Sequence, residues 1–156
     1  MSQSVSPESR SESQAAAFRR HRWPYYWLAR VNYRYLAVLE PELRSIDLDV
    51  PRWRVLSCLD RGEPMGVSGL ADLAAVKVPT MMKIVQRMAE DGLVRLAPRE
   101  NDGRVTEVHL TPAGSESRER IIALANKVHD RACAGMSEAE RSAMVASLRH
   151  LFETMS

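Results

Sequence analysis

The chain has 156 residues, 45% hydrophobic and 27% charged, with a formal net charge of +2. This is the balance of an ordinary soluble domain. No apolar run approaches the roughly 20 residues that span a bilayer, two cysteines are too few for a secreted disulfide framework, and the charge is too small to imply nucleic acid by itself. One domain with helical dimerisation elements is expected, in the cytoplasm and without membrane contact.

Residues 1–17 are polar and almost free of large apolar side chains, so a disordered tail is expected there; the stretch has no apolar core of the signal-peptide kind. Residues 18–47 read as an N-terminal helix. Pro24 suits a first turn, and Leu28, Val31, Tyr35 and Leu39 recur at helical spacing. All four tyrosines and two of the three tryptophans fall between Trp23 and Tyr35. They go round more than one face, which predicts burial on two sides.

Residues 48–110 follow with three shorter helices and a hairpin. The first has Asp49 as cap, Pro51 in its first turn and Gly62 at its end, with Trp53, Leu56 and Leu59 inward. The second turns Leu70, Leu73 and Ala74 inward. The third starts at Pro79, presents Met81, Ile84, Val85 and Met88 to a core, and ends at Gly92. The period then changes from 3.6 to 2. The short strand Leu-Val-Arg-Leu, a polar turn with Asp102-Gly103 as its hairpin signal, and the alternating Val105 to Leu110 predict two antiparallel strands. Residues 111–156 form two long helices. Thr111 and Pro112 open one, and Ser137 with Glu140 caps the other. Ile121, Leu124, Ala125, Val128 and Ala132 stripe the first, and Met144, Val145, Leu148, Leu151 and Phe152 line the second. A single small domain would struggle to cover both stripes, so they read as dimerising helices.

Three short helices followed by a hairpin make a winged helix-turn-helix. The predicted fold class is therefore mainly α with a small β-hairpin, flanked by N- and C-terminal dimerisation helices. Such a fold sends the N-terminal part of its third short helix into the major groove, while an arginine on the hairpin can read a narrow minor groove. Between Val76 and Arg104, six cations (Lys77, Lys83, Arg87, Arg95, Arg99, Arg104) face four acids.

Leu70-Ala71, Thr80 with Lys83, Gly92-Leu93-Val94, Asp102-Gly103-Arg104 and Leu110-Thr111-Pro112-Ala113-Gly114 stand in the order of a familiar pattern. Over about residues 22–155 the chain resembles the MarR family of transcriptional regulators. It departs from the pattern in three places: Lys83 stands where arginine is commoner, Gly69 where glutamate is frequent, and Gly103 where many relatives carry a second wing arginine. Lysine favours phosphate contact over bidentate guanine reading.

The candidate DNA-binding residues are Lys77, Pro79, Thr80, Lys83, Arg87, Arg99, Asp102 and Arg104. Thr80, Lys83 and Arg87 share one helix face at i, i+3 and i+7, suited to bases or phosphates. Lys77 and Pro79 flank the backbone, Arg99 is a phosphate candidate, and Arg104 is the arm's minor-groove residue. Asp102 either orients the Arg104 guanidinium or caps the turn. The partners expected are a pseudo-palindromic double-stranded operator and a second copy of the chain.

Two readings stay open for the aromatic helix: dimer and core packing, or one wall of an effector pocket. The resemblance implies that effectors in this family are often aromatic acids or their conjugates. Arg22, Trp23, Tyr26, Trp27, Arg30 and Trp53 are the candidate ligand residues, offering flat apolar walls and cations. The stretch from Arg22 to Leu56 is also similar to a subgroup responding to hydroxycinnamoyl-CoA thioesters, and the basic run Arg19 to Arg22 suits either an anionic ligand of that kind or a plain basic flank. Some relatives sense peroxide through a cysteine near the start of the first helix; none stands there, and Cys58 lies near an apolar face.

No nucleophile–base pair, carboxylate dyad or phosphate loop is visible. Cys58, Cys133 and the four histidines show no ligand spacing, so neither an enzyme nor a cofactor is expected. The expected function is a homodimeric sequence-specific regulator, a repressor released by a small aromatic acid or acyl-CoA thioester. The alternative is a winged-helix module for protein–protein contact.

Overall fold

The computed structural model describes residues 20–60 and 62–155, with the backbone alone at Arg20. The tail expected over residues 1–17, and Arg19 of the basic run, lie outside the described residues. A 3-10 turn at Arg20–Arg22 precedes α1 (Pro24–Arg44). Then come α2 (Val50–Cys58), β1 (Met65–Gly66), α3 (Val67–Leu73), α4 (Val78–Glu90), β2 (Val94–Arg99), β3 (Asp102–Leu110), α5 (Pro112–Ala132) and α6 (Glu138–Thr154). The fold is mainly α with a small antiparallel sheet, in the winged helix-turn-helix order. Among the described residues no helix is long and apolar enough to cross a membrane.

The chain divides into two compact units, Met1–Ala37 and Val38–Ser156. The boundary falls inside α1, four residues before Pro41. Proline lacks the N–H that would bond the Ala37 carbonyl, so the helix ladder has a gap there. In the first unit, Trp23, Tyr25, Trp27, Val31 and Tyr33 are exposed.

The second unit holds the core. Leu39 and Leu43 of α1, Val55 and Leu56 of α2, Met81, Val85 and Met88 of α4, Val94 and Val108 of the sheet and Ile121 of α5 are buried. Each such side chain contributes roughly 1.5–3 kcal/mol of burial free energy. Leu73, expected inward, is 61% exposed. The stripe that α3 buries is Val67, Leu70, Ala71 and Ala74, at i, i+3, i+4 and i+7, and Leu73 stands off it.

Helix ends follow local chemistry. Asp49 Oδ1 accepts from Arg52 N at 2.8 Å to cap α2, Thr111 caps α5, and Ser137 with Glu140 forms a complete capping box on α6. Gly92, at φ +72°, closes α4: its N–H bonds the Ala89 carbonyl and the Leu93 N–H bonds the Met88 carbonyl, a Schellman end. By contrast, α2 stops at Cys58 rather than at Gly62. Leu59 turns extended, and Gly62 (φ +79°) instead serves a turn bridged by Asp60 and Glu63.

The sheet has three strands in the order β1-β3-β2, one more than the predicted hairpin. Two residues, Met65 and Gly66, pair with Val108 and Glu107. The hairpin turn is also displaced from its expected place. Arg99 pairs with Asp102, so Glu100 and Asn101 make the turn and Asp102-Gly103 begins β3. Gly103 does not adopt the positive φ that an Asp-Gly primed turn requires. The register shifts between Pro98 and Arg99, which loops Gly103, Arg104 and Val105 out as a bulge.

Candidate nucleic-acid interface

Helix α4 is sharply two-sided. Met81, Val85 and Met88 are buried, and Thr80, Lys83 and Arg87 are exposed on the other side. Lys77 is the N-cap residue and Pro79 lies in the first turn, both exposed. Among the described residues the side chains of Lys77, Lys83 and Arg87 make no hydrogen bond or ion pair. Their charges stand ready for an external anion, with no internal pair to break.

The helix is aimed by its two ends. At its start, the turn from α3 passes through Ala75 in the left-handed region (φ +51°), with the Val76 N–H bonding the Ala71 carbonyl. At its end, Arg52 of α2 donates through Nε to Asp91 Oδ2 at 3.2 Å and pairs with Asp49 through Nη1 at 2.5 Å. Arg52 therefore ties the start of α2 to the end of α4. Between these helices runs an open groove of about 520 Å³, which brings Thr80, Lys83 and Arg87 together with Arg52, Asp49 and Glu90. Lys77 and Pro79 lie outside it.

The hairpin supplies the second set of cations. Arg104 is 93% exposed. Asp102 Oδ1 accepts from both Arg104 N, at 3.2 Å, and Arg104 Nε, at 3.1 Å, so the carboxylate orients the guanidinium. Arg99 donates through Nε to Glu107 Oε1 at 2.6 Å. Arg95, opposite His109 in the ladder, is exposed, and its side chain has no ion pair among the described residues. Arg52, Arg95 and Glu107 were not predicted as site residues. Arg95 alternates with inward Val94 and Leu96, a signal open to sequence reading; the pairings of Arg52 and Glu107 depend on tertiary approach.

The base of the hairpin is seated on α5. The Thr111 hydroxyl donates to the Gly92 carbonyl at 2.7 Å and accepts from Gly114 N at 3.0 Å. A Cβ on Gly114 would fall inside the van der Waals sphere of the Leu93 carbonyl oxygen, so only glycine allows this approach.

Of the candidate ligand residues, Arg22, Trp23, Tyr26, Trp27 and Arg30 lie in the first unit and Trp53 in the second. Tyr26 and Trp27 pack edge to face, with ring centroids 5.3 Å apart. The Arg30 guanidinium sits 5.5 Å over the Tyr26 ring, and Trp27 Nε1 donates to the His21 carbonyl at 2.8 Å. Burial pushes the Cys58 thiol pKa up, the direction that disfavours the nucleophilic thiolate.

The model of the MarR family matches residues 48–106. The HTH-type transcriptional repressor IacR of Pseudomonas putida is 41% identical over 138 residues, covering 88% of this chain and 83% of that protein. The chain belongs to the MarR family. A MarR family transcriptional regulator from Silicibacter pomeroyi superposes with a TM-score of 0.80 at 27% identity, over 90% of this chain and 95% of that one. CouR of Rhodococcus jostii RHA1, in a crystal structure bound to p-coumaroyl-CoA, has the same fold, with a TM-score of 0.76 at 21% identity over 86% and 94% of the two chains. As a MarR family member the chain is a DNA-binding transcriptional regulator, and α4 with the β2–β3 arm is its candidate DNA face.

Proposed function

We propose that the chain acts in the cytoplasm as a homodimeric repressor that holds a pseudo-palindromic operator and lets it go when a small aromatic acid or aromatic acyl-CoA thioester binds. The observation that carries the DNA half is the exposed face of α4, where Thr80, Lys83 and Arg87 share one groove and the cations have no partner among the described residues. Lys77 and Pro79 flank that face, and Arg104, aimed by Asp102, reaches the adjacent groove. Repression is supported by the 41% identity to a transcriptional repressor. Dimerisation is supported by α6, which buries none of its residues and exposes Met144, Val145 and Leu148.

The effector class rests on Tyr26, Trp27 and Arg30, whose aromatic planes and cation suit an aromatic carboxylate or its thioester. The CoA thioester bound to CouR is a property of that protein and motivates the choice of ligand to try first. A ligand of either kind must prefer a dimer whose two α4 helices no longer match the half-site spacing.

Selection of duplexes from a random pool tests the reading. The account expects an enriched pseudo-palindrome with half-sites about one helical turn apart; recovery of no preferred sequence overturns it. Calorimetry with p-coumaroyl-CoA, feruloyl-CoA and free aromatic acids tests the effector. Binding coupled to loss of the enriched duplex is expected, and no binding of any of them removes the effector class.

A further inference from the structure

Arg99, beside the turn of the arm, is the natural phosphate candidate there, yet its surroundings give it a different task. Its Nε–H donates to Glu107 Oε1 at 2.6 Å, and Glu107 is only 15% exposed in its side chain while Arg99 is 45% exposed. The other carboxylate oxygen, Oε2, faces His109 Nε2 at 3.7 Å. That nitrogen is buried and has no hydrogen-bond partner. Glu107 therefore lies between Arg99 and His109, mostly out of solvent. Its ladder partners are Ala97 on β2 and Gly66 on β1, so the carboxylate sits on the middle strand of the sheet. The tip of the Arg99 guanidinium closes over Gly66: a Cβ there would lie 3.3 Å from Arg99 Nη2 and 3.2 Å from Val105 Cγ1. An ion pair and a close approach to the strand that opens α3 both hold the guanidinium down. Arg95, two places from Ala97 on the same face, has no such carboxylate.

We infer that Glu107 is a positioning residue that holds Arg99 down as a brace between the arm and the start of α3, keeping it off the DNA backbone and leaving Arg104 as the contact at the tip. This rests on the reading of the arm as a DNA contact. The Arg99 guanidinium must give up a mostly buried carboxylate before it can reach a phosphate, whereas Arg104 pairs with an exposed one and is already in solvent. Glu107 thereby sets how many charges the arm delivers.

The test is the salt dependence of binding to the enriched duplex, whose log–log slope changes by about 0.9 for each phosphate contact, or about 1.8 per dimer. Arg99→Ala in the native background is expected to leave the slope unchanged. Glu107→Gln is expected to free Arg99 and steepen the slope by about 1.8 per dimer, and Arg99→Ala added to Glu107→Gln returns it to the native value. Flattening by Arg99→Ala alone overturns the inference, because Arg99 would already contact phosphate. Arg104→Ala separates the two readings. If it flattens the slope and Glu107→Gln does not steepen it, the brace fails and the arm contact stands; if neither changes it, both fail. A second measurement needs no variant to fold. The Arg99 Nε–H signal in nitrogen-resolved NMR of the native protein should keep its position and protection when duplex is added. Loss of that protection on DNA binding overturns the inference.

Discussion

Helix α4 and the turn end of the hairpin arm carry their cations in opposite states. On α4, the side chains of Lys77, Lys83 and Arg87 have no internal partner among the described residues. On the arm, Arg99 is held by Glu107 and Arg104 by Asp102, both acids being on β3. The difference follows from the scaffold. A helix whose other face is locked into a core by Met81, Val85 and Met88 fixes the direction of every residue on it. A projecting bulged hairpin does not, so its long side chains need a neighbouring acid to narrow their rotamers. An exposed ion pair such as Arg104 with Asp102 is worth only about 0–1 kcal/mol. Asp102, beside a solvated arginine, contributes aim far more than stability, whereas Glu107, mostly out of solvent, withholds the Arg99 charge.

The change with the largest expected effect breaks both regions at once. Gly114→Ala drives a Cβ into the Leu93 carbonyl, at the joint between the end of α4, the root of β2 and the start of α5. A loss of about 3 kcal/mol or more is expected in urea unfolding; a native midpoint would show that the joint has slack.

Within the arm, Arg104→Ala should weaken binding to the enriched duplex about 10-fold or more without altering the melting temperature. Asp102→Asn keeps an acceptor for Arg104 N and removes the ion pair, so a smaller loss, about 2- to 5-fold, is expected. If the two variants lose equally, Asp102 does more than aim the arginine.

The smallest expected effect is at the entry to α4. Ala75 holds a left-handed conformation that costs a non-glycine residue about 1–2 kcal/mol. Ala75→Gly should raise the stability by about 1 kcal/mol or less, because the more flexible unfolded chain offsets part of the relief. Destabilisation would mean that the Ala75 methyl packs usefully.

Much of this architecture is legible in the sequence because its signals are local. Asp49, Thr111, Ser137 with Glu140 and Gly92 each mark a helix end through hydrogen bonds within a few residues, and the structure has each in that role. The apolar stripe of α4 is equally local, and it places Thr80, Lys83 and Arg87 together. What escapes is set by tertiary context. Strand β1 is two residues long, with no period to read, and exists because β3 offers it an edge. The turn moves to Glu100-Asn101 because the ladder pairs Arg99 with Asp102, overriding the Asp102-Gly103 signal. The end of α3 uses Ala75 where glycine would announce it. The pairing of Arg99 with Glu107 depends on the strand register, which sets Glu107 opposite Ala97 and which no periodicity in either strand discloses.

The central claim is that the unpartnered cations of α4 neutralise DNA phosphates. The salt dependence of operator binding by the double variant Lys83→Ala/Arg87→Ala tests it most directly. Four charges removed per dimer should flatten the log–log slope by about 3 to 4, with the fold intact, since both side chains are exposed and make no pair among the described residues. A folded double variant with the native slope would contradict the assignment of α4 as the DNA-reading helix.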